Sequence, residues 1–470
     1  MKNFIIKFIF ISLILPYALS AQDYAKWNVE LLTHWDDSLQ TQQGWAGNRY
    51  AGCWGYADAA HREYAIVGAA NGAYFVEITD DGNPKLCDFV AGKRGNCTWR
   101  EYKTYQQYCF AISDDVGSSL QIIDMSYLPD SVHVVYDGID IASETHTLWI
   151  NGSKLYLGSP KASNVAISLM VLDLANNPVA PTILSSINAP LGGTHDMFVR
   201  NDTAFVSCGN NGMQIGIFDA AGQFQLKGTL SNYLYSGYNH SSVLSPDGKT
   251  LYMMDEVPGS LPCKIVDVSN LTECEVVDTF TSGGNGTPHN PFLAGNNHLV
   301  VAYYEDGLQI FDISDNHHPI KSGFFDTHYQ SPIDGANGGY YGAWGAYTEL
   351  PSGKIITVDM QNGLFVLDAT QAGVAYHPTL STKQPILPKD IFQVTPNPFD
   401  SRINVFLEKP QSQVTICLYD ITGMLIFKQQ FNNLSAQNIT LPIGEQLTKG
   451  AYLLSIQTQT GIQTEKLIKQ

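Results

Sequence analysis

Charge is scarce in this chain. Of its 470 residues only 15% are charged, against about a quarter in an average globular protein. Basic residues are scarcer still: 26 Lys and Arg face 44 Asp and Glu, for a net charge of −18 with His neutral. A chain this acidic has no electrostatic reason to seek nucleic acid or an anionic membrane surface. Heptads rich in Ala, Glu, Lys and Leu are also absent, which excludes a coiled coil or a helical bundle. The 41 Gly and 22 Pro follow no three-residue period; that excludes collagen and leaves many turns. Beyond the first twenty residues no apolar run reaches the ~18 residues of a transmembrane segment. Familiar catalytic signatures are missing too: there is no G-x-S-x-G elbow, H-E-x-x-H helix, P-loop or C-x-x-C pair. Gly283-Gly284-Asn285-Gly286 reads as a loop, not a dinucleotide fingerprint.

Aromatics, at 11%, are too plentiful for a disordered chain. Residues 1–21 read as a secretory signal peptide: Lys2 and Lys7, an apolar run from Phe8 to Leu19, then the small residues Ser20 and Ala21. Export permits disulfides. Cys87 with Cys97, and Cys263 with Cys274 across a hairpin turn, are the expected bridges. Cys53, Cys109, Cys208 and Cys417 are expected free and buried. Spacing alone leaves the connectivity open.

The body repeats. Two or three apolar residues, an acid and usually another apolar residue recur around Glu77, Asp124, Asp173, Asp219, Asp267, Asp312 and Asp368. The period is about 48 residues, the size of a four-stranded propeller blade. Another short apolar strand precedes each acid, and a third follows most of them. Seven units predict an all-β fold, a seven-bladed β-propeller over residues 22–378. The last unit lacks a convincing fourth strand, and Trp27–Asp37 resembles the fourth strands elsewhere. That N-terminal stretch is expected to close the last blade. Residues 379–390 read as a Pro/Thr linker. In 391–470 short segments alternate apolar and polar residues, which predicts a small β-sandwich.

Two resemblances cover nearly all of the mature chain. The segments IIDMS, IVDVS and IFDIS, each followed by a turn and a further strand, resemble the LVIVD repeat. HREYAIVG, GYNHSS, GTPHNPF, VAYYEDGLQIFDIS and VDMQNGLFVLD are similar to secreted propellers of the choice-of-anchor B family. The tail, with TPNPF (Thr395–Phe399), LYDITG (Leu418–Gly423), KGAYLLSI (Lys449–Ile456) and a terminal KLIKQ, resembles a type IX secretion C-terminal sorting domain. That resemblance implies a Bacteroidetes-type bacterium, Sec and then type IX export, and removal of the tail at the cell surface. The type IX machinery would then be a partner. Neither family implies a reaction.

The start of each innermost strand reads Trp54, Trp99, His146, His195, His240, His289 and Trp344. In a propeller this position opens the central channel. The end of the second strand returns to the same face, bringing Asp114, Asp115, Asp255, Glu256, Glu305, Asp306 and Asp359. The functional reading is a channel-mouth pocket. His146, His195, His240 and His289 would take a divalent transition metal. Trp54, Trp99 and Trp344, with Asp115, Glu256, Glu305 and Asp306, would line a ligand site suited to a glycan or a surface protein. The structural reading is inheritance with the repeat, imidazoles bonding a neighbour's backbone and indoles filling space. The seven aligned acids are expected to bond their own turns. Asp80-Asp81-Gly82-Asn83 could hold calcium, or be turn chemistry alone. Two functions follow: a surface binding module, favoured by the missing catalytic motifs, and a metal-dependent oxidase or hydrolase, favoured by the His arc.

Overall fold

The computed structural model describes residues 24–43, 47–79, 83–328, 340–374, 392–407, 411–420, 425–434, 438–441, 447–458 and 461–470. The expected signal peptide (1–21), the expected linker (379–390) and the turn residues Asp80, Asp81 and Gly82 lie outside them.

The fold is all-β. Among the described residues the body holds seven antiparallel sheets of four or five short strands, built in chain order or completed from the N-terminus, and a two-stranded hairpin, Lys161–Ala162 with Val165–Ala166, inserted in the third. Sheet one is typical: Tyr50–Ala57, Glu63–Ala69, Gly72–Ile78 and Lys85–Ala91 pair in sequence order. The first strands of the other six are Arg100–Tyr105, Thr147–Asn151, Asp196–Arg200, Asn239–Leu244, Asn290–Ala294 and Ala343–Tyr347. Each lies beside the first strand of the next sheet, and Ala343–Tyr347 also lies beside Tyr50–Ala57. Gly52 permits one such approach, since a Cβ there would stand 2.5 Å from the Arg100 carbonyl oxygen.

Burial follows from that stacking. A lone sheet buries one face; neighbours on both sides bury two. Second strands such as Glu63–Ala69 and His298–Ala302 are therefore buried at every residue. Each Val, Ile or Leu removed from water there contributes about 1.5–3 kcal/mol. Fourth strands such as Glu275–Phe280 are largely exposed. In all seven sheets the register slips by one residue between the third and fourth strands, as between Ile265 and Val266. Such bulges raise the local twist.

The aligned acids lie at or within one residue of the third-strand ends, and six of the seven bond the following turns. Carboxylates of Asp124, Asp173, Asp219, Asp267, Asp312 and Asp368 each accept the amide two residues on, at 2.8–3.0 Å. Glu77 instead sits 3.9 Å from Lys85.

The N-terminal stretch is shared between two sheets. Glu30–Trp35 pairs antiparallel with Gly363–Asp368, Glu30 opposite Asp368 and Trp35 opposite Leu364. Just before it, Lys26–Trp27 adds a fifth strand to sheet six, with Trp27 opposite Phe324. The chain turns between them at Asn28, whose φ is 56°. Nothing in the sequence signalled this division.

In the tail, a three-stranded sheet (Phe392–Thr395, Ile403–Leu407, Asn438–Leu441) and a four-stranded sheet (Gln411–Asp420, Leu425–Leu434, Gly450–Thr458, Gly461–Lys469) share one core. Val405 and Leu441 from the first meet Ile416 and Leu454 from the second in it.

The expected disulfides are corrected: Cys87, Cys97, Cys263 and Cys274 are all free thiols, as are the other four cysteines. Register gives the reason. Cys263 pairs with Phe280, whereas Cys274 precedes Glu275, the partner of Asp267. The two cysteines thus lie at opposite ends of one strand pair, about four strand residues or ~13 Å apart, beyond the ~7 Å reach of a disulfide. Cys87 lies early in Lys85–Ala91, while Cys97 hydrogen-bonds Ala70 at the other end of that sheet.

Candidate functional site

The backbone places the histidines by one rule. The amides of His146, His195 and His289 donate to Gly158, Ser207 and Ala302, the last residues of the second strands, at 2.8–3.1 Å. Each imidazole therefore enters at the same height. His240 and Trp344 reach this level through bulges: the register slips between Asn239 and Ser241, and again between Ala343 and Gly345.

The side chains form a continuous run of rings across six sheets. Ring centroids are 4.2 Å apart for His146 and His195, 4.5 Å for His195 and His240, and 4.2 Å for His240 and His289. His289 meets Trp344 at 4.2 Å, and Trp344 stacks on Trp99 at 4.6 Å with an interplanar angle of 12°. The first-strand starts from sheets two to seven thus converge.

Polar partners fix most of these rings. His146 Nδ1 lies 2.8 Å from Asp114 Oδ2, and its Nε2 lies 3.4 Å from His195 Nε2. His195 Nδ1 is 3.1 Å from the Tyr238 hydroxyl. His289 Nδ1 donates to the Trp344 carbonyl at 2.6 Å. Glu256 Oε1 accepts from the Tyr304 hydroxyl at 2.7 Å, and Oε2 lies 3.8 Å from His240 Nε2. His195, His240 and Glu256 each bring a donor atom to within 4.8 Å of the other two. Three buried ring nitrogens of this run have no hydrogen-bond partner: His240 Nδ1, His289 Nε2 and Trp344 Nε1.

Electrostatics separates the histidines. Burial pulls His146 down, but the Asp114 hydrogen bond and charge outweigh it, so its pKa is raised. Burial holds His195 and His289 well below the ordinary imidazole value, and neighbouring imidazoles, His240 first, add to the effect. Both are neutral at pH 7 and offer a lone pair. Tyr304 is pushed well up by burial and by Glu256, so it stays a phenol that donates to the carboxylate.

Several expected site residues lie elsewhere. Trp54 is not at the start of its strand but four residues inside Tyr50–Ala57. There it packs edge-on against Tyr347 at 4.8 Å, with the Lys103 ammonium 4.0 Å over its ring. It lines a small cavity with Glu101, Lys103, Asn290, Phe292 and Trp344, the last shared with the run of rings. Asp115 accepts the Thr98 amide at 3.0 Å; its neighbour Asp114 is the residue on His146. Asp306 takes the Ser282 hydroxyl and belongs to that loop. Glu305 lies half-buried in the turn closed by the Gly307 amide on Tyr304. Tyr238, Tyr304 and Glu101 went unnoticed. Tyr304 stands directly before Glu305 in the second-strand register, which was its signal. Tyr238 and Glu101 carried none.

Comparison with known proteins addresses the tail. Residues 393–470 match the secretion system C-terminal sorting domain. The chain is thereby addressed to type IX secretion and to the cell surface or extracellular space. No helix among the described residues is long and apolar enough to cross a membrane. No curated protein matches the chain. Among solved structures, PorZ, a surface component of the type IX secretion system of Porphyromonas gingivalis, is similar at 13% identity and TM-score 0.46. The match covers 91% of this chain, which spans 60% of the length of PorZ. The WD40 β-propeller domain of Doa1 is similar at 11% identity and TM-score 0.48, covering 70% of this chain and 95% of that one. A putative 6-phosphogluconolactonase from Bacteroides uniformis is similar at 12% identity and TM-score 0.48, covering 80% and 96%.

Proposed function

We propose that the chain is an exported, surface-displayed propeller of seven blades, of LVIVD-repeat and choice-of-anchor B type, which acts as a binding module through the face where its first strands begin. The seven sheets are its blades, and Glu30–Trp35 closes the ring by completing the seventh. Deleting Trp27–Asp37 should then lower the melting temperature sharply; an unchanged melt contradicts closure.

One observation carries the reading: rings from six consecutive sheets meet at one hub, with the half-buried Trp99 stacked on Trp344. Trp99, half-buried at this hub, offers an aromatic surface that suits the apolar face of a sugar. The ligand class is a surface glycan. A glycan array probed with the chain, beside its Trp99→Ala variant, tests this. Selective binding that falls at least tenfold in the variant supports it, and equal binding by both contradicts it. The second reading, a metal-dependent oxidase or hydrolase, is favoured by the convergence of His195, His240 and Glu256. Its test is turnover that requires added metal.

A further inference from the structure

We propose that the hub is a mononuclear divalent transition-metal site with His195, His240 and Glu256 as ligands. His146 and His289 flank it on either side.

Donor chemistry selects the class of ion. Two imidazoles and one carboxylate suit zinc, iron(II), cobalt(II) or manganese(II). Calcium and magnesium require a cage of oxygens, and this trio supplies one carboxylate only. Three protein ligands leave open positions, as a site that takes an exogenous ligand requires. The spacing is already close to what a metal needs. Ligands held at about 2.0–2.1 Å stand roughly 3.4 Å apart in a tetrahedron. His240 Nε2 and Glu256 Oε2 are 3.8 Å apart, and all three donors lie within 4.8 Å of one another. Rotamer adjustments below an ångström or so bring them onto one ion.

The surroundings resemble the outer shell of a metal site. Ligating groups in such sites are held by a second layer that fixes tautomer and orientation. Here Tyr304 holds the far oxygen of Glu256, and Tyr238 holds His195 Nδ1. Asp114 fixes His146 Nδ1 and the Trp344 carbonyl fixes His289 Nδ1. That leaves His289 Nε2 without a hydrogen-bond partner, while His146 Nε2 faces His195 Nε2 at 3.4 Å.

The hub also holds unpartnered ring nitrogens. His240 Nδ1 and His289 Nε2 are buried without a hydrogen-bond partner. His289 Nε2 is thus an open lone pair beside the trio, and His240 Nδ1 is the ring nitrogen opposite the one that faces Glu256. The site needs neither a glycan nor turnover, so it stands or falls apart from both readings above.

The test is titration of the full chain, stripped of metal by chelator dialysis, with cobalt(II). Calorimetry reads stoichiometry, and visible absorbance reads the ligand field. One equivalent should bind, with d–d bands of low-coordinate cobalt that zinc displaces. His240→Ala and Glu256→Gln should each weaken binding by 100-fold or more. Tyr304→Phe, which touches no metal, should weaken it about 10-fold or more through Glu256. Melting of each metal-free variant reports whether it folds. If the ligand variants do not fold, Tyr304→Phe and the wild-type stoichiometry still decide. Wild type that takes up no cobalt, zinc, iron(II) or manganese at one equivalent overturns the site. Uptake unchanged by folded His240→Ala and Glu256→Gln overturns the assignment. Glycan binding that persists without metal leaves the binding-module reading intact in either case.

Discussion

Asp255 and Glu256 are neighbours in the chain, yet their surroundings are finished in opposite ways. Asp255 is fully buried, with both carboxylate oxygens hydrogen-bonded. Its carboxylate accepts from the Tyr233 hydroxyl at 2.9 Å, the Gly237 amide at 2.9 Å and Asn239 Nδ2 at 3.2 Å, and it pairs with Lys264 at 3.0 Å. Glu256 has one short bond, from Tyr304, and an imidazole 3.8 Å from its other oxygen. Strand alternation turns the first carboxylate into its own sheet and the second toward the hub. Asp255 is fully buried and Glu256 half-buried, and only the first has both carboxylate oxygens in short hydrogen bonds. A buried polar cluster that the protein completes is structural, and one that it leaves open has room for a ligand.

The sharpest way to break this contrast is at Lys264. Lys264→Ala strands a buried carboxylate, and removing one partner of a buried pair costs about 3–5 kcal/mol. Urea denaturation should show a loss of that size with an unchanged slope; a loss below ~1 kcal/mol means Asp255 is not held as described. A smaller effect is expected at Glu101, which burial, against the pull of Lys103, raises to about 7. Its folded pKa lies above the unfolded value, so the folded chain holds this proton more tightly. The stability it contributes is full below about pH 4.5 and is lost as pH rises toward 7. Glu101→Gln should therefore stabilise the protein by ~1–3 kcal/mol at pH 8 and by much less at pH 5. Equal effects at both pH values contradict the assignment. The smallest effect is expected at Glu256 itself. In the metal-free protein Glu256→Gln keeps the shape and one acceptor for Tyr304, so stability should move by less than ~1 kcal/mol. A loss matching that of Lys264→Ala erases the distinction between the two carboxylates.

The sheets were legible because their cause is periodic. Apolar runs such as KLYLGSP and VLDL mark strands, and the acids from Asp124 to Asp368 mark the turns that their carboxylates bond. The His register was legible for the same reason, since His146, His195 and His289 share one backbone hydrogen bond to the second strand. Trp54 was misplaced because the bulge between Tyr50 and Cys53 shifts the strand start, and a bulge leaves no mark in spacing. Choosing Asp115 over Asp114 failed for a related reason: adjacent residues face opposite ways, and pattern alone does not fix the face. The disulfides failed because a sequence separation of ten or eleven measures chain length, not which end of a hairpin each cysteine occupies.

Tryptophan fluorescence tests most directly whether the hub is one place. The Trp344 ring lies 4.2 Å from that of His289, tilted by 49°, and His289 in turn lies 4.2 Å from His240. A paramagnetic ion held by His240 would sit close enough to quench it. One equivalent of cobalt(II) should quench part of the emission, and that part should vanish in Trp344→Phe while binding persists. Stoichiometric binding with no loss of Trp344 emission, or quenching that survives Trp344→Phe undiminished, would place the ion away from these rings and contradict the account.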